Sequence, residues 1–521
     1  MKRFVIIPLL VLLITLLSGI SLAQAPQYGG VLRRSLINDP PTLDPAMITD
    51  TASDEVARQI FDGLVEYDSE GRIVPVIAKS WSISKDGLTY TFYLRDDVYF
   101  HNGRKVTAED FVYSIKRIMD PKTASPRANF AEPIKDVKAK SKYILEITLK
   151  EPFAPFLSTL TYSCFWVVPK EVVEKLGKDF ATNPVGTGAY MFEEWKHDVK
   201  IRLKANLKYF RGRPYTDAIE WSIIPDEQVD FLNFEKGLLD ITGIPDTEWD
   251  RVINDPKYKP YIISKPILGI YYLGFNLKKK PLDNKYLRWA IARAINKEEI
   301  VRVIRRNRAE VAYTILPPNM PGFSRGIYNW AKENLSYNVE EAKKLLEKAG
   351  YPGGRGLPEL TIFYNTSRAH QRIMEAIQAN LAEIGIKAKL QNYDWAVYLD
   401  LLDKGELSIF RLGWVADYID PDNFLWVLFN SQNFGEAGNH TFYKNPKVDE
   451  LTDKARKITN WNVRVKYYNE AERLILEDLP IIPIFYYVSQ PIHQPWVHGL
   501  YVDPLTGLSG VRYRVVWLSK R

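Results

Sequence analysis

The sequence predicts an α/β protein of more than one domain, and three observations carry that prediction. Strand and helix patterns alternate between residues 359 and 415. Residues 30 to 100 read as short strands broken by turns. The composition, 46% hydrophobic and 13% aromatic, is that of an ordered chain, and 521 residues give about three domains' worth of material.

The chain opens with MKRFVIIPLLVLLITLLSGISLAQA. Lys2 and Arg3 precede an apolar run from Phe4 to Leu17, and Ala23-Gln24-Ala25 is a small-x-small cleavage site. This is the pattern of a secretory signal peptide over 1–25. The run is short for a membrane span, and no cysteine follows it for lipid attachment. No later segment reads as membrane-spanning. Cys164 is the one cysteine, so no intrachain disulfide can form; in TYSCFWVV it reads as a buried small apolar residue. The formal charge of +7 is mild for this length, and the basic runs at 278–280 and 304–308 read as solvated faces. With an exported destination, they argue against nucleic acid as a partner.

The elements follow in order. TYTFYLRDDVYF (89–100) alternates as a strand. TAEDFVYSIKRIM (107–119) reads as a helix with Thr107 as N-cap and Glu109 and Asp110 in its first turn. KYILEITLK (142–150) is a strand, and NPVGTGAY (183–190) is a loop and candidate boundary. Residues 200–210 and 218–224 read as strands. Residues 296–306 and 338–350 read as helices, the second between Asn338 and a Gly350 stop. Next come a strand at 359–365, an amphipathic helix at 370–385, a strand at 386–393, a helix at 394–405 and a strand at 406–415. That alternation predicts a mainly parallel sheet with helices on both faces. Ligands of such sheets bind beyond the carboxyl ends of the strands. Thr366 to Arg368 and Asp417 fall at such ends.

The stretch LGWVADYIDPDNFLWVLF (412–429) reads as core yet carries Asp417, Asp420 and Asp422. Asp420 before Pro421 is a helix start, and Asp422 suits the first turn. Asp417 has no such explanation. It lies among Trp414, Tyr418 and Trp426, where a carboxylate is costly unless paired. Either an internal Lys or Arg or a ligand cation answers it.

The chain resembles the dipeptide/oligopeptide-binding family of extracytoplasmic solute-binding proteins (family 5), which serve ABC importers. The likeness runs from about Tyr28 to the C-terminus. It is carried by DPPTLDPA (39–46), SWSISKDGLTYTFYLRDDVYFHNG (80–103), VTAEDFVYSIKRI (106–118), NPVGTGAY (183–190), YLGFNLKKKPLDN (272–284), LRWAIARAINKEEIV (287–301) and GWVADYIDPDNFL (413–425). The resemblance implies a two-lobed clamshell with mixed sheets and flanking helices. Domain I would comprise 26–65, 191–282 and 493–521, an inserted domain II 66–190, and domain III 283–492. It implies a periplasmic, monomeric, non-enzymatic receptor that holds a short peptide between its lobes and passes it to a membrane permease. The aspartate of G-W-x-x-D would meet the ligand ammonium, here Asp417 after Gly413 and Trp414. Arg411, Arg368 and Arg372 are candidates for the ligand carboxylate. Trp414 and Tyr418 are candidates for ligand contact, as are Tyr271 or Tyr272 near the hinge, and Asn38 and Asp39 on domain I. Within the fold, an oligosaccharide, a nickel chelate or another solute is the alternative cargo.

Other motifs carry less. GFSRG (322–326) matches G-x-S-x-G, but PPNMP precedes it rather than a strand. GGRG (353–356) lacks the G-K-[ST] of a phosphate loop. The six histidines are scattered and no H-E-x-x-H occurs, so neither a metal nor a cofactor is expected. A peptidase would need a nucleophile and base in register, and none is legible. A chaperone or sensor role leaves no motif that would exclude it.

Overall fold

The structure is a computed structural model and describes residues 25–520. The expected signal peptide therefore lies almost wholly outside the described residues. Among them, no helix is long and apolar enough to cross a membrane.

Three sheets organise the chain. The first joins β1 (Val31–Leu36), β6 (Tyr190–Lys196), β7 (Lys200–Ala205) and β8 (Ala218–Ile223) in the order β1-β8-β7-β6. β1 and β8 are parallel, and the other pairings are antiparallel. α1 (Thr51–Ile60) packs on this sheet through Val56, Ala57 and Ile60, which share a core with Leu32, Ile201, Leu203 and Trp221. Val497, Val511, Tyr513 and Val516 enter the same core. The chain thus leaves this body and returns to it at its end. The second sheet is antiparallel, in the order β2 (Ala78–Ile83), β3 (Thr89–Leu94), β5 (Ile144–Leu149), β4 (Ile134–Ser141). α2 (Ala108–Met119) is set by a capping box between Thr107 and Asp110, as its sequence predicts.

The third sheet has six strands: β9 (Lys265–Phe275), β10 (Ala309–Val311), β11 (Leu360–Asn365), β12 (Ala388–Tyr393), β13 (Ile409–Val415) and β14 (Ile481–Ser489). Their order is β10-β14-β9-β13-β11-β12. Only β11 with β12 and with β13 is parallel. β9 pairs antiparallel with β13 and β14, so the sheet is mixed rather than mainly parallel. The alternation at 359–415 reported the parallel part alone; β9 and β14 arrive from far along the chain. β9 reads KPILGIYYLGF and is buried from Ile267 onward, as a strand covered on both faces must be. It belongs to this sheet, so a border at residue 282 would part β9 from the strands it is hydrogen-bonded to.

α4 (Arg368–Glu383) and α5 (Trp395–Asp403) make the two crossovers from β11 to β12 and from β12 to β13. Ser367 accepts from the His370 amide and starts α4 two residues before the expected position. The expected helix at 296–306 is broken into a short turn at Lys297–Glu299 and a π-helical turn at Ile300–Ile304.

Candidate functional site: a cleft along an open strand edge

β11 and β13 run side by side only at Ile362–Ile409 and Phe363–Phe410, then diverge. Beyond Phe410, β13 keeps β9 on one side, and among the described residues no strand pairs its other edge. The Arg411 carbonyl points to that open edge, where the Tyr398 hydroxyl donates to it at 2.6 Å. Strand alternation gives Gly413 and Val415 the same orientation, so their N–H and C=O groups face the opening. An unpaired edge of this kind is a template for an added strand.

A cavity of about 410 Å³ lies along this edge. One wall comes from Asn38 after β1, Asp50 and Asp54 at the start of α1 and Arg58 in its last turn, and Tyr67, Tyr162 and Ser163. Tyr501 to Arg512 of the C-terminal segment close that side. The facing wall is Arg411 to Asp417, with Asn365, His370, Trp395 and Tyr487. The walls touch around the rim. The Tyr67 hydroxyl accepts from the Ile419 amide at 3.0 Å, and Asn129 donates to Asn433 at 3.0 Å.

The two ends of the open edge carry opposite charges that the protein itself leaves without ion pairs. At one end Asp417 accepts from Asn423 Nδ2 at 3.0 Å. The Asn423 carbonyl oxygen is in turn held by Trp414 Nε1 at 2.9 Å and the Asp417 amide at 3.0 Å. Burial pushes the Asp417 carboxyl up to about 6; the Arg127 charge and the Asn423 amide pull it back, and Asp54 pushes it further up. Arg127 is the internal cation of this end, donating to the Ile48 and Thr49 carbonyls, and among the described residues no ion pair joins it to Asp417. At the other end Arg411 is buried. It donates to Asn365 Oδ1 at 2.9 Å and Tyr487 Oη at 3.3 Å, and lies 4.5 Å from the Tyr271 ring centroid. Its Nε has no partner, and among the described residues no carboxylate pairs with it. A buried guanidinium surrounded by neutral groups is costly until an anion joins it. His370 stands beside it, its pKa held well below the usual range by burial and by the Arg411 and Arg305 charges.

Gly413 sits midway. A Cβ there would collide with the Tyr487 hydroxyl, so glycine lets that phenol reach over the strand to Arg411.

The profile of the bacterial extracellular solute-binding proteins, family 5 middle, matches residues 72–436. The chain belongs to this family. It is 30% identical to the periplasmic oligopeptide-binding protein OppA of Escherichia coli over 92% of this chain and 91% of that one. It is 31% identical to heme-binding protein A of Haemophilus influenzae, over 88% of each. Among solved structures, the periplasmic binding protein DppA of Helicobacter pylori, in complex with peptide STSA, superposes with a TM-score of 0.87 at 31% identity, covering 95% and 99% of the two chains. The two-lobed clamshell architecture is that of the family-5 binding proteins.

Within this family-5 cleft, Asp417, Trp414, Gly413, Arg411 and Asn38 line the cavity; six other candidates, Tyr271 among them, do not. Tyr418 is fully buried, its hydroxyl bonded to Asp422 at 2.8 Å and its ring edge-on to Phe130. It follows Asp417 directly, and the chain turns it into the core. Arg368 pairs with Asp226 at 2.8 Å and Arg372 with Glu227 at 2.7 Å, both at the start of α3 (Glu227–Glu235). These arginines already have carboxylates. Asp39 turns to the β6–β7 hairpin, accepting from Trp195 and His197 at 2.9 Å each. Tyr272 is buried away from the cavity; alternation gives the Arg411 face to Tyr271.

Asp420 and Asp422 are structural, as their sequence context predicts. Asp420 accepts from the Asp422 amide at 3.0 Å and pairs with Arg464. Asp422 opens α6 (Asp422–Phe429), pairs with Arg456 at 3.1 Å and binds the Tyr468 hydroxyl. Sequence reasoning missed Asp50, Asp54, Asn423, His370 and Tyr487. A signal for the first two existed: Asp50 is an N-cap ahead of Thr51-Ala52-Ser53-Asp54 and an apolar stripe.

Proposed function

We propose that this chain is the substrate-binding component of an ABC importer and captures short peptides in the cleft for delivery to a membrane permease. The observation that carries the proposal is the pair of charges without ion-pair partners, Asp417 and Arg411, at the two ends of one open strand edge. A peptide is a strand with an ammonium at one end and a carboxylate at the other. Its backbone can pair with the Gly413 and Val415 edge, its ammonium can answer Asp417, and its carboxylate can answer Arg411. Six residues of extended chain separate the two, about 20 Å, which limits a ligand so anchored to about six residues.

In this reading the peptide bridges both walls and so stabilises the closed form over the open one; closure is a population shift set by differential affinity. The paired Arg368 and Arg372 take no part in holding the carboxylate. The chain acts as a monomeric receptor outside the cytoplasm and catalyses no reaction.

The test is the identity of what the protein carries. The mature chain is purified without refolding and denatured, and released molecules are identified by mass spectrometry. A set of short peptides of narrow length is expected. A single non-peptide solute, such as a sugar, a metal chelate or a porphyrin, would overturn the peptide proposal and leave the fold intact.

A further inference from the structure

The N-terminus of α1 puts two more carboxylates into the wall beside Asp417. Asp50 and Asp54 both line the cavity and are each only 8% exposed. Asp50 Oδ1 is occupied: it caps α1 through the Ala52 and Ser53 amides at 3.0 and 3.1 Å and accepts from Trp395 Nε1 at 3.4 Å. Its Oδ2 has no hydrogen-bond partner. Asp54 Oδ2 takes Arg58 Nε at 2.9 Å, and its Oδ1 has none. Buried carboxylate oxygens without donors are rare in native structures, because each forfeits its hydration without replacement.

The local charge does not balance. Asp50, Asp54, Asp417 and Asp503 line this end, against Arg58 and the nearby Arg127. Glu66, the remaining acid of that wall, and the buried Asp62 behind it are together answered by Arg211 and Arg512. Two negative charges are left over. A ligand ammonium on Asp417 accounts for one.

We propose that this end of the cleft is built for two positive charges: with the ammonium on Asp417, Asp54 and Asp50 receive the side chain of a lysine or arginine at the ligand's first position. The proposal rests on the peptide reading above. Position one follows from connectivity, since that side chain leaves the same Cα as the ammonium, and Asp54 is close enough to Asp417 for its charge to act on that carboxyl. Lysine and arginine combine the reach with several donors for carboxylate oxygens.

The experiment is calorimetry on ligand-stripped protein with three tetrapeptides: Lys-Ala-Ala-Ala, norleucine-Ala-Ala-Ala and Ala-Ala-Ala-Ala. Norleucine keeps the lysine stem and removes its charge. Lysine is expected to bind roughly ten- to hundredfold tighter than norleucine, the range of a charge-assisted hydrogen bond. In Asp54→Asn, whose folding is checked by its melting curve, that ratio is expected to shrink to within about threefold, the scale of a screened pair. Equal wild-type affinities for the lysine and norleucine peptides overturn the inference and leave the peptide reading standing. A ratio that survives Asp54→Asn also overturns it, and binding of none of the three overturns both. Should the variant not fold, the wild-type ratio decides alone.

Discussion

Replacing Asp417 with asparagine keeps a partner for the Asn423 amide and removes the charge. If a ligand ammonium meets that charge, Asp417→Asn weakens peptide binding by about 2–5 kcal/mol, the cost of stripping one partner from a buried charge pair; calorimetry reads it directly. The pH dependence has a definite sign. In the free protein the carboxyl titrates near 6 because burial disfavours its charged form. An ammonium needs the ionised form, so affinity is flat from that value up to about 8, where the peptide's own α-ammonium titrates, and falls about tenfold per pH unit below it. The stability of the ligand-free protein runs the other way. A folded-state pKa raised above the usual 3.8 means that the protonated carboxyl favours the folded state. That contribution is full below the unfolded value and is lost as pH rises through about 6. Asp417→Asn, permanently neutral, therefore gains stability over wild type at pH 7.5 and gains little at pH 4.5, by denaturant titration of ligand-free protein. Higher stability with lost binding marks a site strained for its ligand. An acid among aromatics near a strand end asks for a partner, which singled out Asp417 in the sequence; the choice of a ligand over an internal cation came only with the family resemblance. Asn423, which orients it, was not legible, since an asparagine in a helix's first turn looks like any other.

At the level of the element, β13 and its open edge organise the site. Period-two alternation puts Tyr271 rather than Tyr272 on the Arg411 face, and past the end of β13 the chain turns Tyr418 into the core while Asp417 stays at the cavity. Sequence pattern gave the strand but not its pairing partners, so parity relative to the cleft stayed open until β9 was in place. Gly413→Ala forces a methyl group into the Tyr487 hydroxyl. It should destabilise the protein by about 1–3 kcal/mol, as overpacking does, visible as a lower denaturant midpoint. α4 and α1 teach complementary lessons. α4 was read correctly as a helix, but its arginines turn to the acids of α3, a contact between segments some 140 residues apart that no local pattern reveals. Arg411→Ala should therefore weaken binding of peptides with a free carboxyl terminus at least about tenfold and leave C-terminally amidated ones nearly unaffected. Arg368→Ala and Arg372→Ala should shift affinity by no more than a few-fold, as surface pairs do. α1 was missed because 30–100 reads as strands and turns, although its N-cap was in plain view.

On the scale of the whole molecule, three distant stretches build the first core: β1 with α1, the β6–β8 strands, and Val497 to Val516. The cleft wall is likewise assembled from residues 38 to 67, 161 to 163 and 501 to 512. The α/β class was legible in periodicity, and the two-lobed design through the family resemblance that the order of the motifs carries. The closing of the chain onto itself, and with it the charge balance of the cleft, comes from long-range packing that periodicity does not encode. The most direct test compares a free tetrapeptide with its N-acetylated form on ligand-stripped protein by calorimetry. Acetylation removes the positive charge that Asp417 is held to receive and puts a neutral acetyl group in its place. The free peptide should bind and the acetylated one should lose about a hundredfold or more, the cost of leaving a buried carboxylate unanswered. Equal affinities, or tighter binding of the acetylated peptide, would contradict the assignment of Asp417 as the ammonium anchor and, with it, the orientation of the ligand in the cleft.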